Sequence, residues 1–226
     1  MLSERDSSGG RHETTSAPTK IHVLDHGIAR HAMTGLRDQQ SSSQQVRYYS
    51  HQLLTLLMIE ATRSLPTRST SVEASYGLAN GEILAKPTIF ISLNRHGLGL
   101  SHQVGDMIPD ILIGSISLDH SPEHRVEPRL HLAHAPALQE AKVLLYDPVV
   151  GSGLSAGIAL NLLRRSGAAD LTLISFVVSS VGLPRIFTAA PEASVYCGAI
   201  DTEYDPKRGP LPGIGHYSQR LYQNQR

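Results

Sequence analysis

The stretch KVLLYDPVVGSGLSAGIALNLLRRSG, residues 142–167, joins three patterns in one line. KVLLYD is a short continuous apolar run ending in an acid, the signature of a strand buried on both faces. LSAGIALNLLRRSGA carries helical periodicity and ends near Gly167. Between them, Asp147 to Ser155 is a turn of small residues. A strand that runs through such a turn into a helix aims unpaired backbone N–H groups at the helix N-terminus, where the macrodipole favours an anion. Asp147, at the strand end, can hydrogen-bond sugar hydroxyls, and Ser152 and Ser155 can donate to a phosphate. No Gly-Lys-Ser/Thr follows, so this is not a Walker loop, and the acid precedes the glycines, so it is not the dinucleotide fingerprint. By itself a Gly/Ser turn ahead of a helix also serves as a plain cap.

Working outward, the same pattern repeats. From Val46, VRYYSHQLLTLLMIEATRSLP reads as a helix with Tyr49, Leu53, Leu56, Leu57 and Ala61 on one face, stopped by Pro66. A polar, turn-rich stretch follows. Pro87 then precedes TIFISL, a buried strand, and Gly97 and Gly99 punctuate the chain before an amphipathic segment around Val104 and Ile108. ILIGSISL is a second strand and KVLLYD the third. LTLISFVV is a fourth, LPRIFTAAP a short helix and SVYCGAI a fifth strand. Apolar strands alternating with helices predict βαβ units and a parallel sheet, an α/β fold. Between the second and third strands, DHSPEHRVEPRLHLAHAPALQEA is too long and polar for an ordinary connector and reads as a flap or lid. Residues 1–20 carry no apolar pattern and read as a disordered tail, leaving 21–226 as a single domain.

Composition narrows the function classes. The chain has 226 residues, 40% hydrophobic and 18% charged, with equal numbers of basic and acidic side chains. A neutral chain without a concentrated basic face is not expected to bind nucleic acid. No apolar run approaches the ~20 residues that cross a bilayer, and the polar N-terminus lacks an apolar signal segment. A lone cysteine, Cys197, points to a reducing, cytoplasmic setting. Twelve histidines are present, seven of them from His96 to His216, and histidine both titrates near neutral pH and ligates metals.

Asp147-Pro148, the small-residue loop and the helix resemble the phosphoribosyl diphosphate (PRPP) loop of the uracil phosphoribosyltransferases. The resemblance continues in order along about 200 residues. It takes in Arg37-Asp38, EATRSLP at residues 60–66, LNRHGLGL at residues 93–100, LPGIG at residues 211–215 and Arg220-Leu221. It implies a type I phosphoribosyltransferase fold: a parallel sheet with flanking helices, a flexible flap and a small C-terminal hood over the base. It implies transfer of phosphoribosyl from PRPP to uracil or a related pyrimidine-like base with magnesium, in a homodimer or larger homo-oligomer. Carried onto this sequence, Asp147 would hold the ribose hydroxyls, Ser152, Gly153 and Ser155 the 5′-phosphate, Arg95 the pyrophosphate, and Gly213 and Gly215 the base.

Several positions depart from the family pattern. Its Ala-Thr-Gly-Gly-Ser loop is Gly151 to Ser155 here, which places Leu154 where a glycine is usual and predicts difficulty in reaching positive φ. The flap's arginine and lysine correspond to His120 and His134, an alanine in the turn to His96, an aspartate of the hood to His216 and a tyrosine to Gly209. Exchanging a permanent cation for imidazole weakens a phosphate contact by roughly 1.5–3 kcal/mol. On this mapping His96, His120, His134 and His216 converge on one pocket, with His131 and His134 on one side if the flap turns helical. Two further readings follow: a repurposed enzyme using histidine acid–base or metal chemistry, and a non-catalytic nucleotide-binding paralogue. Among the histidines, His96 and His216 sit beside glycine turns and are the candidates for catalysis, ahead of metal binding.

Overall fold

The computed structural model describes residues 20–94, 98–120, 126–133 and 138–222. The chain opens with β1 (Ile21–Val23), α1 (Gly27–Arg37) and α2 (Ser43–Ala61), then a hairpin of β2 (Thr67–Ala74) and β3 (Gly77–Leu84). Next come β4 (Thr88–Leu93), α3 (Leu98–Met107), β5 (Leu112–His120) and β6 (Val126–His131). The quoted stretch forms β7 (Lys142–Tyr146), β8 (Val149–Val150) and α4 (Leu154–Arg165), followed by β9 (Asp170–Ser179), α5 (Leu183–Ala189) and β10 (Ser194–Asp201). A small hairpin of β11 (Glu203–Asp205) and β12 (Gly209–Leu211) and the helix α6 (Tyr217–Tyr222) complete it.

Among the described residues, eight strands form one sheet in the order β1-β10-β9-β7-β4-β5-β6, with β8 also pairing β9. Every pairing is parallel except β5 with β6. All six residues of β4 are buried, as are nine of the ten of β9, because helices cover both faces. Alternation along each strand sorts side chains to the two sides. Phe90, Leu144, Tyr146 and Phe176 face α1, α2, α3 and α6, while Ile89, Ile91, Val143 and Leu145 face α4 and α5. The rings of Phe90, Tyr146, Phe176 and Tyr217 meet in sequence, with centroids 5.6–5.7 Å apart.

This layering fixes where a ligand can sit. From β4 the chain crosses through α3 on one face to β5; from β7 it crosses through α4 on the other face to β9. The strand order therefore reverses between β4 and β7. In open α/β sheets the crevice outside the carboxyl ends of the strands at such a switch point takes the ligand.

The five expected strands are present, and three elements correct the sequence reading. The helix read from Val46 begins at Ser43, where Ser42 and Gln45 form a capping box, and it buries Val46, Ser50, Leu53, Leu54, Leu57, Met58 and Ala61. Tyr49 and Leu56 are only partly buried. The polar stretch after Pro66 is the β2–β3 hairpin, in which each residue from Thr67 to Ala74 pairs with one from Gly77 to Leu84. In the segment read as a flap, Val126–His131 is an edge strand on β5. His131 thus lies on a strand rather than a helical turn, with Nε2 3.1 Å from the Ser117 hydroxyl. Of the tail, only Lys20 lies within the described residues; its carbonyl accepts from the Val195 N–H at 2.7 Å. Among the described residues, no helix is long and apolar enough to cross a membrane.

Candidate active site

A cavity of about 350 Å³ opens at the switch point. Its floor is the end of β7 and the turn that follows, and it is lined by Asn94, by Asp147 to Ala156, by Lys207 to Gly209 and by Gly215 to Ser218. Asn94 follows β4 with φ 58°, a left-handed backbone that asparagine tolerates better than most residues. Its N–H donates to the Ile116 carbonyl at 2.8 Å, which extends the β4–β5 ladder by one residue. Arg95, His96 and Gly97 themselves lie outside the described residues, as does His134; for His120 only the backbone, at the end of β5, is described.

Asp147 is the single carboxylate among the described residues lining the cavity. It keeps some surface open to that space, yet its carboxyl sits at the buried root of the loop. Desolvation pushes its pKa up to about 7, against the pull of a hydrogen bond from the Val149 backbone. A carboxylate in such a place is costly when empty and available when sugar hydroxyls arrive, a combination typical of functional sites.

The turn after Asp147 is held from outside. Gly153 has φ +73°, and a Cβ there would stand 2.4 Å from the Gly182 carbonyl oxygen, so only glycine fits. Arg185, on α5, donates from Nη1 to the Ser152 carbonyl at 2.8 Å. Gly153 can offer α4 no capping side chain, and the first bond of the helix is the Gly157 N–H to the Gly153 carbonyl at 2.8 Å. The amides of Ser155 and Ala156 precede that bond and so have no partner within the helix, an arrangement that favours an anion at its N-terminus. The Leu154 amide is only weakly engaged, 3.4 Å from the Ser152 hydroxyl oxygen. Leu154 also corrects an expectation. It is the first residue of α4, it does not have positive φ, and its side chain points outward at 50% exposure. The glycine-to-leucine exchange therefore strains nothing in the loop.

The hood is fastened by charges far apart in sequence. Arg37 makes a bidentate pair with the buried Asp201, at 2.6 and 3.2 Å. Arg37 also donates to the Gly213 carbonyl at 3.1 Å, and the Gly213 N–H donates to Asp201 at 2.8 Å. Arg220 donates to the Ile214 carbonyl at 2.8 Å and to the carbonyls of Leu36 and Asp38. Both backbone groups of Gly213 are thus engaged in holding the loop, and Gly213 does not line the cavity, whereas Gly215 does. Gly213 shapes the hood. A Cβ there would meet the Pro210 carbonyl oxygen at 2.3 Å, with φ at +66°.

Of the residues expected at the site, the structure brings Asp147, Ser152, Gly153, Ser155, Gly215 and His216 to one cavity. His216 is exposed at its rim, and its carbonyl accepts from the Arg220 N–H at 3.1 Å. Of the four histidines expected to converge, only His216 has a described side chain; His131 is at the sheet edge, and among the described residues no group of three or more His, Cys, Asp or Glu side chains is placed to hold a metal. The sequence reading passed over Asn94, Lys207 and Arg208. A charged pair inside the turn DPKRG, just ahead of LPGIG, was the available signal for the last two.

Comparison with known proteins agrees with this geometry. A family model described as uracil phosphoribosyltransferase matches residues 23–224. The uracil phosphoribosyltransferase of Caulobacter sp. (strain K31) is 29% identical over 203 residues, covering 89% of this chain and 97% of that protein. That of Thermus thermophilus is 28% identical over 204 residues, covering 90% and 98%. Among solved structures, the AQ2163 protein from Aquifex aeolicus superposes with a TM-score of 0.79 at 22% identity, covering 89% of this chain and 97% of that one. Adenine phosphoribosyl transferase from Trypanosoma brucei, solved with AMP, pyrophosphate and ribose-5-phosphate, gives 0.54 at 10% identity, over 83% and 87%. At these identities the solved structures speak for the fold, which is that of the type I phosphoribosyltransferases. The family match spans nearly the whole chain, and the chain belongs to the uracil phosphoribosyltransferase family.

Proposed function

We propose that this chain transfers the phosphoribosyl group of PRPP to uracil or a closely related base. The observation that carries the reading is the meeting of three parts on one cavity: the carboxylate of Asp147, the amide-lined start of α4, and the hood at Gly215. They match the parts of a ribose phosphate with a base attached, namely the sugar hydroxyls, the 5′-phosphate and the heterocycle.

In the reaction a base nitrogen forms a bond to the anomeric carbon while the bond from that carbon to the diphosphate oxygen breaks. The diphosphate leaves with the electron pair, and the proton of the base nitrogen goes to solvent or a nearby base. The chain's contribution is positioning. Asp147, once ionised, accepts from the ribose hydroxyls and favours positive charge growing on the sugar ring. The first turn of α4 holds the 5′-phosphate in place, which fixes the anomeric carbon under the hood. His216, at the rim, is the described histidine placed to exchange a proton with a ligand in the cavity.

Magnesium fits this donor set in a particular way. Among the described residues one carboxylate lines the cavity, and Mg²⁺ is commonly held by one or two carboxylates together with water and substrate phosphates. Asp147 is the residue that would face it, and the ion would supply charge neutralisation for the departing diphosphate. A single buried cysteine, its thiol pushed up to about 12 by burial, suits a reducing compartment such as the cytoplasm.

The test is pyrophosphate release from PRPP with magnesium across a panel of pyrimidine and purine bases. Release that requires uracil or a close analogue supports the reading. Absence of release with every base, from protein that still binds ribose 5-phosphate, leaves a nucleotide-binding paralogue in its place.

A further inference from the structure

A phosphate pocket needs positive charge, and the family's flap cations correspond here to histidines. Lys207 and Arg208 are the only permanent cations among the described residues lining the cavity. Both stand at the tip of the hood hairpin, between β11 and β12, with exposed side chains. Their backbone is not slack: the Asp205 carboxylate accepts from the N–H of Lys207 at 2.7 Å and from that of Arg208 at 2.9 Å. Arg208 also lies in the field of Asp205, but among the described residues neither cation forms an ion pair.

The hairpin is seated on the phosphate loop. The ring of Tyr204 lies against Gly151, where a Cβ would stand 2.9 Å from Cε2. Tyr204 pairs with Pro210; Arg208 lies two residues before Pro210 and Lys207 three after Tyr204, roughly 7–10 Å along a strand. That is within the reach of a lysine or arginine side chain folding back over the start of α4.

The geometry points to Lys207 and Arg208 as the residues that close over the 5′-phosphate of the ribose substrate, supplying permanent positive charge from the hood. The inference rests on the phosphoribosyl reading of the site and adds to it the source of the cations. The amides of Ser155 and Ala156 take the phosphate from below, and the two side chains take it from above. Because both cations begin exposed, each contributes at the lower end for a charge-assisted bond, and their effect is screened by salt.

The experiment is calorimetry of ribose 5-phosphate with the full chain, its Lys207→Gln and Arg208→Gln variants and the double variant, with melting curves to confirm folding. Each single variant is expected to weaken binding roughly tenfold and the double variant about a hundredfold, with the difference shrinking as salt is raised. Arg208→Lys should retain most of the affinity. Binding by the double variant equal to the parent's overturns the inference while leaving the phosphoribosyl reading intact. A parent that binds neither ribose 5-phosphate nor PRPP overturns that reading, and the inference with it.

Discussion

Replacing Asp147 by asparagine should make the empty protein more stable and the site useless. Burial lifts the Asp147 carboxyl from 3.8 to about 7. The native state therefore binds this proton more tightly than the unfolded chain does. The sign follows from linkage: a raised acid pKa costs nothing below the unfolded value, costs progressively more as pH climbs between the two values, and reaches its full penalty above the native value. At about 1.36 kcal/mol per pH unit, that penalty approaches ~4 kcal/mol above pH 7. The surface that Asp147 keeps open to the cavity makes this a ceiling. Asparagine carries no such cost, and its side-chain oxygen can still accept from the Val149 N–H.

Chemical denaturation of the parent and Asp147→Asn across pH is the measurement. The stability gap in favour of the variant should widen by about 2–3 kcal/mol between roughly pH 5 and pH 8. Binding should move the other way, since a neutral amide cannot supply the charge-assisted bonds that a carboxylate offers to two ribose hydroxyls. For the parent, affinity for ribose 5-phosphate should fall as pH drops below about 7 and the carboxylate is protonated. A gap that stays flat with pH would refute the desolvation argument, and undiminished ribose phosphate binding by the variant would refute the role assigned to the carboxylate.

Arg37→Met should destabilise the fold by about 3 kcal/mol, because it leaves the carboxylate of Asp201, 3% exposed, without its partner; thermal melting checks this, and Asp201→Asn should cost less. His216→Ala should lose turnover while melting at the parental temperature, since the side chain is exposed at the rim; full activity would remove His216 from the chemistry. Light scattering at micromolar concentration should give at least a dimer, in keeping with a net charge of zero and with Val72, Tyr76 and Leu78 exposed on the β2–β3 hairpin; a monomer mass would contradict it.

The parts of the fold that could be read in advance are those buried on two sides. TIFISL and LTLISFVV are continuous apolar runs because helices cover both faces of β4 and β9, so no alternation is needed to place them. The β2–β3 hairpin gave no such signal: TRSTSVEA is exposed at nearly every position, and its pairing is carried by the backbone. The edge strand β6 alternates partly buried and exposed residues, but Pro128 and its charges disguise the pattern, as edge strands commonly do. In α1 the periodicity was present at Ala29, Ala32, Met33 and Leu36, and small residues made it faint.

The site divides differently. Sequence identifies chemical groups, and it named Asp147, Ser152, Ser155 and Gly215, which the structure gathers on one cavity. It cannot tell which backbone groups are already engaged. The N–H and carbonyl of Gly213, expected to face the base, are engaged by Asp201 and Arg37, residues that approach it only through the fold. Leu154 looked like an obstruction because a family glycine stood in its place, yet a residue on the first turn of a helix needs no positive φ and can turn its side chain outward. Lys207 and Arg208 went unremarked because a charged turn is ordinarily a solvated one; their importance comes from Tyr204, whose contact with Gly151 brings the hairpin over the loop. For Gly213 and for the Lys207–Arg208 turn the deciding fact is a tertiary contact around the crevice set by the reversal of strand order between β4 and β7. That reversal puts α3 and α4 on opposite faces, opens the crevice where Asn94 and Asp147 meet, and leaves the hood as its cover. Substitution at the family's loop, turn and flap positions can then change which side chains line the crevice without moving the crevice itself.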